Sequence, residues 1–178
     1  MRPIVLIVPG LGDSGPEHWQ SRWEADEPSW RRVRQADWKR PRCADWVQTL
    51  DEAVRSAGGP VVIVAHSLGC ATVGHWSRRD RKIQGALLVA PTDVEASSCP
   101  KGPEGFAPIP LALYAFPSIV VASRDDPYVS LSRARFFAEA WGSAFVTAGS
   151  LGHINADSGI GRWEEGRTLL ASLLDSPA

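Results

Sequence analysis

Apolar side chains fall in short, unbroken, branched-aliphatic runs at residues 4–8, 61–65, 86–90 and 119–122, with a weaker one at 144–147. Runs of this length without strict polar alternation suit strands covered on both faces, as in a parallel sheet. A polar stretch at 32–36 is a candidate edge strand. Helical patterns lie between the runs at 16–25, 44–56, 68–78, 131–141 and 162–174. Pro16 stands at a first helical position, and the second segment places Val47, Leu50 and Val54 on one face before stopping at Gly58 and Gly59. Strands alternating with helices predict an α/β fold, a doubly wound sheet with right-handed crossovers. Residues 91–117 break the pattern: they carry six of the 14 prolines and little periodicity. An irregular connection of that length is expected to be a lid or a pocket wall, with Phe106, Leu111, Leu113 and Phe116 as its candidate apolar lining. No repeat or composition shift divides residues 1–178, which are read as one domain.

The chemistry concentrates at the ends of the runs. Residues 61–65 lead through His66 into Ser67, Leu68 and Gly69, a strand running into a serine and then a helix. At such a sharp turn the serine hydroxyl projects above the sheet, and the amide of the following residue faces a developing oxyanion. Ala65 and Gly69, two residues to either side, permit the close approach of strand and helix, although glycine is usual at both places. A serine hydroxyl is scarcely ionised at neutral pH, so it needs a base, and the base needs a partner to fix its tautomer. Asp126 follows the run at 119–122 and His153 follows the run at 144–147, giving the order Ser, acid, His. Both fall at carboxyl ends of strands, the edge where open α/β sheets bind ligands. Asp125 is the rival acid and reads as a solvated turn residue. Among the other histidines, His75 is placed on the surface or in packing and His66 in a pocket wall, while His18 and the adjacent Trp19 are candidate substrate contacts.

The loop Gly10-Leu11-Gly12-Asp13-Ser14-Gly15 admits two readings. It is a literal GxGxxG between a strand and a helix, with Asp37 near the end of the next strand, as in a dinucleotide site using Gly10, Gly12 and Gly15. That reading sets Asp13 beside a pyrophosphate and leaves Ser67, Asp126 and His153 without a purpose. The alternative makes it a tight loop whose Leu11 amide joins that of Leu68 in an oxyanion hole. A third function class is a non-catalytic binding protein in which the three residues are present but not assembled. From 30 to 42, five arginines and Lys39 interleave with Trp30 and Trp38, a composition that can hold single-stranded nucleic acid. Acidic residues just upstream and a formal charge of −1 favour a solvated edge strand instead.

Composition narrows the class further. A chain of 178 residues, 44% hydrophobic and 22% charged, can bury a sizeable core and is not disordered. Three cysteines without CxxC spacing fit neither a disulfide framework nor a zinc module and point to a reducing compartment. The run after Arg2 ends at Pro9 and is too short for a signal peptide or a membrane span, so the expected location is cytoplasmic. No metal or organic cofactor is required by serine chemistry, and the expected partner is a small-molecule substrate, with no nucleic acid and no membrane.

Taken together, these residues resemble the small α/β-hydrolase-fold serine hydrolases of the retinoblastoma-binding-protein and YdeN type. The resemblance spans nearly the whole chain and rests on Pro9-Gly10, His18-Trp19, Trp23, Asp37-Trp38, Pro41, Asp45-Trp46, His66-Ser67-Leu68-Gly69, Asp126-Pro127-Tyr128-Val129 and Gly152-His153. It implies a reduced hydrolase sheet of about six parallel strands ordered 2-1-3-4-5-6, and Ser67, Asp126 and His153 as catalytic residues. Vertebrate members bind the retinoblastoma protein through Leu-x-Cys-x-Glu. Here Leu68-Gly69-Cys70-Ala71 is followed by Thr72, so that partner is not carried over. Five of the eight tryptophans lie between residues 19 and 46. A sheet shortened in this way has less core of its own, and large buried rings near the first loop and helix are expected to compensate.

Overall fold

The computed structural model describes residues 2–77 and 83–175. Its elements run β1 (Ile4–Val8), α1 (Trp19–Asp26), β2 (Arg31–Arg32), α2 (Cys43–Ser56), β3 (Val61–His66), α3 (Leu68–Trp76), β4 (Gly85–Val89), β5 (Ser118–Ala122), α4 (Leu131–Trp141), β6 (Ala144–Thr147) and α5 (Glu164–Leu174). All six strands are parallel, in the order β2-β1-β3-β4-β5-β6. The chain thus reverses direction of growth at β1 and β3, whose carboxyl ends carry the first loop and Ser67. Ile4 pairs with Val61 and Val8 with Ala65, so these two ends lie level.

Every residue of β3 and β4 is buried, as unbroken apolar runs require, and alternate side chains feed two cores. Leu6, Ile63, Leu88 and Val120 join the layer under α2, α3 and α4, whereas Ile7, Val64, Leu87 and Val121 join the layer under α1 and α5. The tryptophans divide between them. Trp19, Trp23 and Trp163 fill the α1/α5 layer, with half-buried Trp30 against it; Trp46, Trp76 and Trp141 fill the other, with half-buried Trp38 at its border. The expected compensation near the first helix is therefore only part of their use, because Trp38 and Trp46 serve the opposite face.

Several boundaries differ from expectation for local reasons. Pro16 precedes the first helix rather than starting it: α1 begins at Trp19 because His18 caps it, its Nδ1 accepting from the Gln20 amide at 3.2 Å. The edge strand shrinks to Arg31–Arg32, where buried Arg32 is pulled across α1 to Asp13, Glu24 and Ser21. The last helix starts at Glu164 because Trp163 adopts φ 47° and the Arg162 carbonyl is taken by Trp23 Nε1. The third helix is described as far as Trp76; the expected end at Arg78 lies outside the described residues. No helix among the described residues is long and apolar enough to cross a membrane.

Candidate active site

The turn between β3 and α3 is tight enough to dictate its own residues. Ser67 adopts φ 56° and ψ −121°, a conformation most side chains avoid, and its amide donates to the Val89 carbonyl at 2.9 Å. A Cβ on Gly69 would stand 2.4 Å from the Val8 carbonyl oxygen, so only glycine lets the first turn of α3 lie against the end of β1. Gly10 is equally constrained: its Cβ would meet Ser67 Cβ at 2.7 Å. The first glycine of the 10–15 loop therefore serves close approach to the serine. Asp13 in the same loop turns away to Arg32, at 2.7 Å.

Ser67, His153 and Asp126 come together from three strand ends. His153 Nε2 lies 2.8 Å from Ser67 Oγ, and His153 Nδ1 lies 2.9 and 3.0 Å from the two Asp126 carboxylate oxygens. A carboxylate only accepts, so Nδ1 carries the proton and Nε2 is left to accept from the Ser67 hydroxyl. Asp126 also accepts from the Tyr128 amide at 2.8 Å, and its side chain is fully buried. Asp125, the rival, instead closes the turn, accepting from Ser123 Oγ at 2.7 Å and the Gly152 amide at 2.8 Å.

The irregular loop that carries His153 is held by side chains from elsewhere. His66 Nε2 donates to the His153 carbonyl at 2.9 Å, and Trp19 Nε1 donates to the Ile154 carbonyl at 2.8 Å. Burial holds the His66 pKa well below the ordinary histidine range, so the ring stays neutral with its proton on Nε2. His18, whose ring centroid is 4.7 Å from that of His66, is lowered to about 3 by burial, then by the charge of Arg32 and by His153. The Tyr128 ring meets His153 edge-on at 4.7 Å.

A cavity of about 280 Å³ opens over Ser67. His18, His66 and His153 line it, as do Leu11 and Leu68, and among the described residues neither leucine amide has a protein acceptor. Two expectations need correction. Trp19 is not in this wall: it is 1% exposed and packs against Trp23 and Trp163, supporting the histidine loop from behind. Phe106 and Phe116 are buried in the core beside Trp46 and Trp76, while Leu111 and Leu113 are 52% and 76% exposed, so none of the four lines the cavity. The irregular segment reaches the site through Thr92, Cys99, Pro100 and Pro103 instead. His75 is in packing, its Nε2 bonded to the Phe106 carbonyl at 2.9 Å. In the 30–42 stretch Arg31, Arg34, Lys39, Arg40 and Arg42 are exposed, as a solvated edge requires, while Arg32 is paired, Trp30 is edge-on to Trp23 and Trp38 is edge-on to Trp46. Among the described residues no cluster of three histidine, cysteine or acidic side chains could hold a metal ion.

A family model described as serine hydrolase matches residues 5–172. The chain belongs to this family. A YdeN-like hydrolase from Pectobacterium atrosepticum is 33% identical, with 99% of this chain and 94% of that one covered and a TM-score of 0.89. The ydeN gene product of Bacillus subtilis is 20% identical over 98% of this chain and 100% of that one, with a TM-score of 0.82. The carboxylesterase CesB from Bacillus subtilis shares the fold at 12% identity and a TM-score of 0.70, covering 98% of this chain and 84% of that one. No curated protein sequence matches significantly. The chain is thus an α/β-hydrolase-fold serine hydrolase, and the fold expected from its alternating pattern is the fold it has.

Proposed function

We propose that this hydrolase cleaves a small, uncharged acyl ester, thioester or amide through an acyl-enzyme on Ser67. The unbroken hydrogen-bonded relay from Ser67 Oγ through His153 to Asp126 carries the reading. His153 takes the serine proton as Oγ attacks the carbonyl carbon, then returns it to the leaving group. Asp126 holds the imidazole tautomer and supports the imidazolium. The amides of Leu11 and Leu68, free of protein acceptors among the described residues, donate to the oxyanion. Water activated by His153 then releases the acyl group.

The cavity argues for the substrate class. At about 280 Å³ it lies just under the roughly 300–1,000 Å³ usual for ligand sites. Its wall holds no lysine or arginine, His18 and His66 are neutral, and the Asp13 carboxylate is paired with Arg32. A carboxylate on the acyl group would find no partner there and would lose its hydration. The test is labelling with a fluorophosphonate probe alongside turnover of p-nitrophenyl esters. Rapid labelling, lost in Ser67→Ala, with butyrate turned over faster than octanoate or hemisuccinate, is the expected result. A folded protein that the probe does not label would overturn the acyl-enzyme, and faster hemisuccinate turnover would overturn the substrate class alone.

A further inference from the structure

The catalytic relay leaves one contact to the nucleophile unused. Thr92 Oγ1 lies 2.7 Å from Ser67 Oγ, on the side not occupied by His153. Proton counting fixes its direction. His153 Nδ1 holds its proton against Asp126, so Nε2 accepts the single proton of Ser67. The hydrogen between the two hydroxyls must then belong to Thr92, which donates to Ser67.

We propose that Thr92 is a fourth catalytic residue, whose hydroxyl donates to Ser67 Oγ while charge builds on that oxygen in both half-reactions. The assignment rests on the hydrolase reading of the site. During acylation the Ser67 proton passes to His153 Nε2, one Oγ lone pair forms the bond to carbon, and the carbonyl π pair moves onto its oxygen; that pair then re-forms the carbonyl as the leaving group departs with its bonding pair and takes the proton from His153. The second Oγ lone pair stays on the Thr92 proton, which is never transferred. During deacylation water adds to the acyl carbon and gives a proton to His153, then the Oγ–carbon bond breaks and its electron pair returns to Oγ, where Thr92 and the proton from His153 receive it. Leu11 and Leu68 face the carbonyl oxygen, so Thr92 serves a reacting atom that they do not reach.

The surroundings keep this donor in place. Thr92 is 4% exposed, and a hydrogen bond to a developing anion is strongest where water is excluded. Ala90, two residues earlier, takes φ 49° with its amide on the Val121 carbonyl, an unfavourable conformation for alanine that swings Pro91 and Thr92 over the sheet edge. On the other side the Asp93 amide donates to the Tyr128 carbonyl and its carboxylate accepts from Arg133 at 3.0 Å.

The experiment compares Thr92→Val, Thr92→Ser and Thr92→Ala in the full chain, with fluorophosphonate labelling rates, kcat and KM for p-nitrophenyl butyrate, and thermal melting. Loss of a donor to a charged oxygen predicts kcat and labelling about 10- to 100-fold lower in Thr92→Val, with KM essentially unchanged. Thr92→Ser and Thr92→Ala both lack the methyl and differ only in the hydroxyl, so this pair decides the matter even if valine disturbs folding. Most of the activity should remain with serine and be lost with alanine. Equal rates for serine and alanine, or a Thr92→Val variant as reactive as the parent, would overturn the proposal alone. A parent that does not label would overturn it together with the acyl-enzyme reading.

Discussion

Ser67 and His153 sit 2.8 Å apart but are positioned by opposite means. The serine is fixed by backbone geometry within one short stretch: β3, a left-handed turn and α3, closed by the Gly69 contact with β1. The histidine stands in an irregular loop between β6 and α5 and is fixed by ring N–H groups from distant parts of the chain. Trp19 and the Ile154 carbonyl are 135 residues apart, and His66 and the His153 carbonyl 87. A turn built from backbone tolerates few substitutions and fails as a whole. A loop pinned by separate side chains loses alignment by degrees, and activity should respond before stability does.

The sharpest test of the assembled relay is removal of its members. Ser67→Ala should lower turnover by about 10⁴-fold or more with the melting temperature held or raised, since the hydroxyl is not needed by the turn. Asp126→Asn should cost a comparable factor by favouring the wrong histidine tautomer. Asp125→Asn, which keeps an oxygen for Ser123 and Gly152, should stay within about threefold of the parent. Steady-state kinetics on the two neighbours distinguishes them directly.

On the serine side, Gly69→Ala breaks the geometry itself. A Cβ 2.4 Å from the Val8 carbonyl oxygen cannot be accommodated by a side-chain shift, because both partners are backbone. A loss of about 3 kcal/mol or more is expected in chemical denaturation, with activity falling alongside it.

The histidine side should show itself in pH dependence. His18 is lowered from 6.5 to about 3, and burial also holds His66 well below its ordinary value, so both are neutral when folded and bind protons more readily when unfolded. Their contribution is fully present above about pH 6.5 and is lost as pH falls toward the folded values. His18 alone should remove about 2 kcal/mol between pH 7.5 and pH 5. Urea titrations at the two pH values measure this. His18→Asn, which retains a helix cap but does not titrate, should flatten the slope.

The change most informative about the contrast is Trp19→Phe. It preserves most of the buried ring and removes the donor to Ile154, for an expected loss of about 1–3 kcal/mol. With His153 less firmly held, kcat should fall by about tenfold or more while the serine turn stays intact. A kcat unchanged in a destabilised Trp19→Phe protein would show that the loop keeps its alignment without that bond.

The strands at 4–8 and 119–122, the elbow at Ser67 and the order Ser67, Asp126, His153 were legible because each is a local pattern. Strand burial, turn chemistry and chain order are all written over a few adjacent residues. Asp125 and Asp126 are adjacent, and in the structure the first closes its own turn while the second meets His153. Thr92 carried no comparable signal, lying in a proline-rich stretch whose aromatic and leucine residues looked like the better pocket lining. Trp19 looked like a substrate contact because it adjoins His18, but adjacent residues at a helix start face different ways, and its ring turns into the core. By itself the sequence determined the alternation of elements, the sheet's parallel character and the three residues of the relay, since local sterics and periodicity act between neighbours. Only the tertiary structure decided which side chains hold His153, which hydroxyl meets Ser67 and which residues wall the cavity. Those depend on hydrogen bonds between segments that approach one another only after the sheet has formed.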